Sequence, residues 1–168
     1  MEKKPLIILT GPTAVGKSAL SIQLAKRING EIISADSMQV YKGMDIGTAK
    51  ITSSEMEGIK HHLIDILDPI DEFNVVLFQQ LGLSAINDIY SRNKVPIIVG
   101  GTGFYIQALL YNITFEDNEG DNSYRKELEE LTQEKGPQYL HDLLKSIDSI
   151  SAKEIHPNNV KRVIRALE

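Results

Sequence analysis

One stretch of this chain has the residue types and spacing that polyphosphate chemistry needs. Gly11-Pro12-Thr13-Ala14-Val15-Gly16-Lys17-Ser18 fits the pattern G-x-x-x-x-G-K-[ST], and it lies between the apolar run Leu6 to Leu9 and an amphipathic stretch that begins at Lys17. In that setting the glycines let the backbone wrap an anion, and the loop amides and the helix N-terminus face it. Lys17 supplies a point charge and the Ser18 hydroxyl can bind Mg²⁺. The bland alternative, a tight turn with an incidental lysine, is disfavoured by the strand and helix on either side. The pattern specifies a diphosphate or triphosphate ligand and leaves the reaction open.

Other residues narrow the chemistry. A motor ATPase or GTPase places an Asp at the end of a further apolar strand. Here Pro96 to Val99 runs instead into Gly100-Gly101-Thr102-Gly103, which is also no dinucleotide fingerprint. Asp36 follows Glu31 to Ser34 and would emerge at the carboxyl edge of a parallel sheet, beside the phosphate loop. That position suits a general base and equally suits a turn cap, so both readings stay open. Thr102 is open in the same way, as a helix cap or as a residue near a substrate that approaches the glycine backbone. His61 and His62 precede Asp65 and Asp68, but neighbouring strand residues point to opposite faces and make no two-ligand metal clamp.

These residues must be held by a fold, and the composition allows an ordinary one. The chain has 168 residues, 42% hydrophobic and 24% charged, as expected of one globular domain. A chain of this size buries roughly 68 to 70% of its unfolded surface and needs no disulfide or structural metal. It contains no cysteine, which removes disulfides, zinc-cysteine sites, iron-sulfur clusters and a thiol nucleophile, and agrees with a cytoplasmic setting. No apolar run approaches the roughly 20 residues of a membrane span, so a soluble, cytoplasmic protein is expected. Eighteen Lys and Arg stand against 23 Asp and Glu, a net charge of -5, so any polyanion must be met by a local patch. Glu116, Asp117, Glu119, Asp121, Glu127, Glu129 and Glu130 form an acidic segment, while Lys161, Arg162 and Arg165 make the end basic; by themselves both read as solvated surface.

Apolar runs alternate with helical patterns over the first hundred residues, as in βα units. Strands are expected at Leu6 to Leu9, Glu31 to Ser34, Leu63 to Leu67 and Pro96 to Val99, each rich in Ile, Leu or Val as a strand buried on both faces should be. Helices are expected from Lys17 to Asn29 with Gly30 as its cap, from Asn74 to Arg92 and from Thr102 to Tyr111. After Asn112 only helices follow: Ser123 to Lys135 with Gly136-Pro137 as a stop, Gln138 to Lys145, Ser151 to Ile155, and Asn159 onward. The fold class is therefore α/β, with a core over 1–112 and a helical segment over 113–168. Val160, Val163, Ile164 and Leu167 make an apolar stripe on a last helix that reads as unfinished, so part of a longer protein is expected.

With these motifs in view the chain resembles the tRNA dimethylallyltransferases, the isopentenyl-transferring family, in their N-terminal part. The resemblance rests on Gly11 to Ser18, on Ser34-Ala35-Asp36-Ser37-Met38-Gln39-Val40-Tyr41-Lys42-Gly43-Met44-Asp45-Ile46-Gly47-Thr48-Ala49-Lys50, on Val99 to Tyr105, and on His156 to Glu168. Tyr41 to Lys50 has no generic role in phosphate-loop proteins, which makes the likeness specific. It implies a nucleotide-kinase-like three-layer P-loop fold, and transfer of a dimethylallyl group from dimethylallyl diphosphate to N6 of the adenosine that follows the anticodon.

By the same resemblance the phosphate loop and Mg²⁺ hold the diphosphate, Asp36 is the general base, and Thr13 and Lys17 act at the leaving group. Asp36, Ser37, Met38, Gln39 and Thr102 then contact the target nucleotide. Arg125, Lys161, Arg162 and Arg165 would touch tRNA, and the enzyme is read as a monomer. Family members continue beyond this point with a further strand, a catalytic arginine and more tRNA-binding helices. Competing readings are a P-loop small-molecule or nucleotide kinase that takes ATP at the same loop, an adenylate isopentenyltransferase, and a non-catalytic tRNA-binding fragment.

Overall fold

The computed structural model describes residues 4–115 and 123–168, so Glu116, Asp117, Glu119 and Asp121 of the acidic segment lie outside the described residues. The chain divides into two compact units, Met1–Phe115 and Glu116–Glu168.

In the first unit four parallel strands stand in the order β1-β4-β2-β3, with β1 at Ile7–Thr10, β2 at Gly30–Ala35, β3 at His61–His62 and β4 at Val95–Gly100. Because strand side chains alternate in direction, paired isoleucines feed two separate cores. Ile32, Ile97 and Val99 pack with Ile22 and Ala25 of α1, Lys17–Ile28. Ile33 and Ile98 pack with Phe78, Ile86 and Ile89 of α2, Val75–Ser91, and with Ile106 and Leu109 of α3, Gly103–Leu110. The result is the three-layer α/β arrangement expected of a sheet covered on both faces. Among the described residues no helix is long and apolar enough to cross a membrane.

Two sequence expectations give way. The apolar run Leu63 to Leu67 is no strand, since Leu63 (φ 63°) and Asp65 (φ 53°) are left-handed. Its amides turn aside: Asp65 N–H donates to Gln39 O (3.2 Å) and Ile66 N–H to Val40 O (2.9 Å). The strand is the two residues before it. Gly30 does not cap α1 either, because Asn29 takes the left-handed position (φ 54°, ψ 49°) and Gly30 opens β2. A Cβ at Gly30 would lie 2.9 Å from Ile97 Cδ1, so close strand packing is what excludes a side chain there.

The second unit is helical, with α4 at Ser123–Lys135, α5 at Pro137–Ile147, α6 at Ser149–Glu154 and α7 at Val160–Leu167. Gly136 (φ 82°) ends α4, and Pro137 becomes the first residue of α5, where its missing N–H costs nothing. Val163 and Ile164 of the α7 stripe are buried with Leu128, Leu140, Leu144, Ala152 and Ile155. His141 Nε2–H donates to the carbonyls of Ala152 and Ile155 (both 2.9 Å), fastening α5 to the end of α6.

Glu31, 2% exposed, is a buried carboxylate in the first unit's interior. Arg92 grips it in bidentate fashion, Lys94 Nζ donates to it at 2.9 Å, and His62 Nε2 lies 2.8 Å from its carboxylate. Burial alone would raise this carboxyl, but the hydrogen bonds from Arg92, His62 and Lys94 outweigh it and hold the group well below its ordinary value of 4.5. A depressed native value means that the contribution is complete above pH 4.5 and is lost as pH falls below it. Glu31→Gln is expected to cost about 1 to 3 kcal/mol at pH 7 and to flatten the fall of stability between about pH 5 and 3. Urea titrations across that range check both effects.

Candidate functional site

The phosphate loop sits between the end of β1 and α1, and its backbone is held open for an anion. Ala14 (φ 66°) and Gly16 (φ 86°, ψ 15°) are both left-handed, and Gly16 occupies the N-cap position of α1. The helix has no capping side chain and no acidic residue in its first turn, so its leading N–H groups and dipole face the loop unopposed. Lys17 Nζ curls back to donate to Gly11 O (2.9 Å) and Pro12 O (2.5 Å). The Ser18 carbonyl accepts from the Ser21 hydroxyl (2.7 Å), while Ser18 itself lines the cleft.

That cleft has a volume of about 850 Å³ and runs along the carboxyl edge of the sheet. Every loop residue from Gly11 to Ser18 except Val15 lines it, together with Asp36, Gln39, Lys50 and Thr102. Asp36 performs the capping role: its Oδ1 accepts from Met38 N–H (2.8 Å) and Gln39 N–H (3.2 Å). The same side chain belongs to the cleft wall, so the two readings of Asp36 are not exclusive. Thr102 holds the N-cap position of α3, yet its hydroxyl makes no capping bond and the residue faces the cleft. Gln39 is braced on both sides, accepting from the Ser34 hydroxyl (3.2 Å) and donating through Nε2 to Thr48 O (3.1 Å). Ser37 and Met38 are not among the residues that line the cleft.

Gly100 brings these groups together. A Cβ there would stand 2.2 Å from Ala35 O, so only glycine lets the end of β4 lie against the end of β2, the residue before Asp36. The Thr102 amide then reaches Ala35 O at 3.4 Å.

Some cleft residues were not singled out by local sequence reasoning. Lys50 was visible only inside the Tyr41 to Lys50 motif, and Glu55 and Glu57, at the cleft wall, had no motif at all. Glu57 is paired with Lys26 of α1. The histidines are engaged elsewhere, His62 with Glu31 and His61 Nδ1 with Ile59 O (2.9 Å), and burial pushes the His61 imidazole below its usual value. In the second unit Arg125 donates through Nε and Nη2 to the two carboxylate oxygens of Glu168, both at 2.7 Å, and Arg165 approaches the same group at 3.4 Å. Lys161 and Arg162 are exposed.

Comparison with known proteins gives the family. A family model described as IPP transferase matches residues 39–168. A tRNA dimethylallyltransferase of Lachnoclostridium phytofermentans is 66% identical over 98% of this chain and 53% of its own length. One from Bacillus pumilus is 60% identical over 99% of this chain and 52% of its own length. The chain thus spans about half the length of the curated relatives it matches. Among solved structures, the full-length tRNA isopentenylpyrophosphate transferase of Bacillus halodurans is 54% identical with a TM-score of 0.68, matching 99% of this chain and 55% of that one. A eukaryotic dimethylallyltransferase acting on tRNA is 38% identical with a TM-score of 0.77, over 97% of this chain and 40% of that one.

The close approach at Gly100 makes a separable prediction. Gly100→Ala should force β4 and β2 apart, costing about 1 to 3 kcal/mol in urea unfolding and weakening diphosphate binding in calorimetry, since the next residue, Gly101, lies against Gly11 of the phosphate loop.

Proposed function

The chain belongs to the IPP transferase family, and we propose that its cleft transfers a dimethylallyl group from dimethylallyl diphosphate to N6 of the adenosine 3′ of a tRNA anticodon. The observation that carries this reading is the meeting of a diphosphate loop and a carboxylate, Asp36, in one cleft. The names of the relatives, tRNA dimethylallyltransferase and tRNA isopentenylpyrophosphate transferase, supply the donor and acceptor classes.

In this reading the loop amides, the α1 N-terminus and Lys17 take the diphosphate. Lys17 exchanges its bonds to Gly11 and Pro12 carbonyls for bonds to the departing oxygens. The donor C1–O bond breaks, diphosphate leaves with the electron pair, and the C1–N6 bond forms. The N6 proton passes to the Asp36 carboxylate, whose Oδ1 is oriented by the Met38 and Gln39 amides. Thr13 stands beside the leaving group. Thr102, Asp36 and Gln39 line the space the adenine must enter after leaving its stack, with Ser37 and Met38 in the turn between Asp36 and Gln39.

Ser18 lines the cleft next to Lys17, and its hydroxyl would hold Mg²⁺ together with phosphate oxygens of the donor and water. When bound, Mg²⁺ adds positive charge at the leaving diphosphate. Lys161 and Arg162 are exposed for the tRNA backbone, whereas Arg125 and Arg165 reach a phosphate by sharing or releasing Glu168. The place of action is the cytoplasm, with the enzyme a monomer.

Calorimetry with dimethylallyl thiodiphosphate, an unreactive donor, and with ATP, each with Mg²⁺, tests the reading. Preferential donor binding is expected; preference for ATP would replace it with a kinase. Lys17→Ala should abolish donor binding. Asp36→Ala should spare it while lowering the transfer rate by about 10² to 10⁴; equal loss of binding in Asp36→Ala would remove the general-base assignment.

A further inference from the structure

A lysine in the wall of a diphosphate cleft reads first as a phosphate ligand, and Lys50 is such a lysine. Its bonding contradicts that. The side chain is only 3% exposed, and Nζ donates to Tyr41 O (2.6 Å), Asp45 Oδ1 (2.8 Å) and Asp65 Oδ1 (2.5 Å). An ammonium has three donors, so none is left for an anion. Burial by itself would lower its pKa, but the bonds to Asp45 and Asp65 outweigh it and hold it above the ordinary lysine value, so it stays charged.

The three acceptors belong to three strips of chain that meet around the Asp36 turn. Tyr41 ends the stretch that starts at Asp36. Asp65 belongs to the left-handed segment whose amides bond to Gln39 O and Val40 O, and Lys42 N–H returns a bond to Leu67 O (2.9 Å). Asp45 begins the loop that returns through Thr48, the partner of Gln39, to Lys50 itself. Among the described residues, Lys50 is bonded to all three.

We propose that Lys50 is a positioning residue for the acceptor side of the reaction and not a phosphate ligand: its saturated ammonium clamps the Asp36–Lys42 segment between the Asp45 loop and Asp65, and so holds Asp36 in the cleft wall. This rests on the reading of Asp36 as general base. It assigns to the Tyr41 to Lys50 motif a mechanical task, keeping a carboxylate registered over a substrate that the loop holds from the other side.

The test uses the full-length protein with Lys50→Met, and with Asp65→Ala, which removes one arm of the clamp at a residue outside the cleft lining, where an Asn oxygen would still accept from Lys50. Lys50→Met should lower kcat for tRNA prenylation by about tenfold to a hundredfold, as small misplacement of a reacting group does. The affinity and stoichiometry for dimethylallyl thiodiphosphate should stay within about twofold, a split that partial unfolding or loss of a phosphate ligand would not give. Asp65→Ala should move kcat in the same direction by a smaller factor. Hydrogen exchange at the Met38 and Gln39 amides, which bond to Asp36, should quicken in both variants; this readout needs no activity. Unchanged exchange and kcat would overturn the proposal, as would donor affinity falling tenfold or more in Lys50→Met. A wild-type protein that does not prenylate tRNA would refute the proposed function, leaving the exchange measurement to decide the clamp.

Discussion

The site depends on how closely two strand ends approach. At Gly100 a single added carbon would sit 2.2 Å from the carbonyl of Ala35. Parallel strands already deliver their following loops to one edge of a sheet, but delivery to an edge still leaves the loops a strand spacing or more apart. Removing the side chain at the end of β4 lets the turn before Thr102 fold down onto the last residue of β2, just before Asp36. Gly101, whose Cβ would lie 3.5 Å from Gly11 O, brings the phosphate loop against the same point. Three loops from three strands then share one cleft without a long insertion to bridge them.

The sheet separates two electrostatic tasks by its two ends. At the carboxyl edge the backbone offers N–H groups and the α1 N-terminus to an anion, and the two lysines of the cleft wall are bonded within the protein, Lys17 to loop carbonyls and Lys50 to two aspartates and the Tyr41 carbonyl. Toward the start of β2, Glu31, the one buried carboxylate among the described residues, is ringed by Arg92, Lys94 and His62. Breaking such a buried set costs more than making it gains. The cluster ties β2 to β3 through His62 and to the turn after α2 through Arg92 and Lys94.

What could be read from the chain alone follows the distance over which each feature is specified. The phosphate loop is contiguous, strand, turn and helix within about twenty residues, and its glycines and lysine state the chemistry locally. Asp36 was placed by the general rule for parallel sheets, although the structure was needed to show that it makes the cap bonds and also lines the cleft. The paired isoleucines at positions 32–33 and 97–98 announced a sheet covered on two faces. Leu63 to Leu67 misled because its apolar run looks like a strand, while its backbone is claimed by the carbonyls of Gln39 and Val40. Glu31 and Lys50 were silent for the same reason: their partners lie 61 and 63 residues away in one case and as far as 15 residues in the other, and no local pattern marks a charge that will be buried.

The curled Lys17 has a consequence for selectivity among anions. Two of its three N–H donors are taken by carbonyls, so one is free for a ligand and each further bond is exchanged for one it loses. A carbonyl carries only a partial charge, so the exchange favours the ligand in proportion to the charge on its oxygens. A singly charged anion gains little by displacing the carbonyls, while a diphosphate gains at several oxygens at once. An ammonium held in this way discriminates by charge, yielding its carbonyl bonds more readily to a multiply charged anion than to chloride or a single carboxylate.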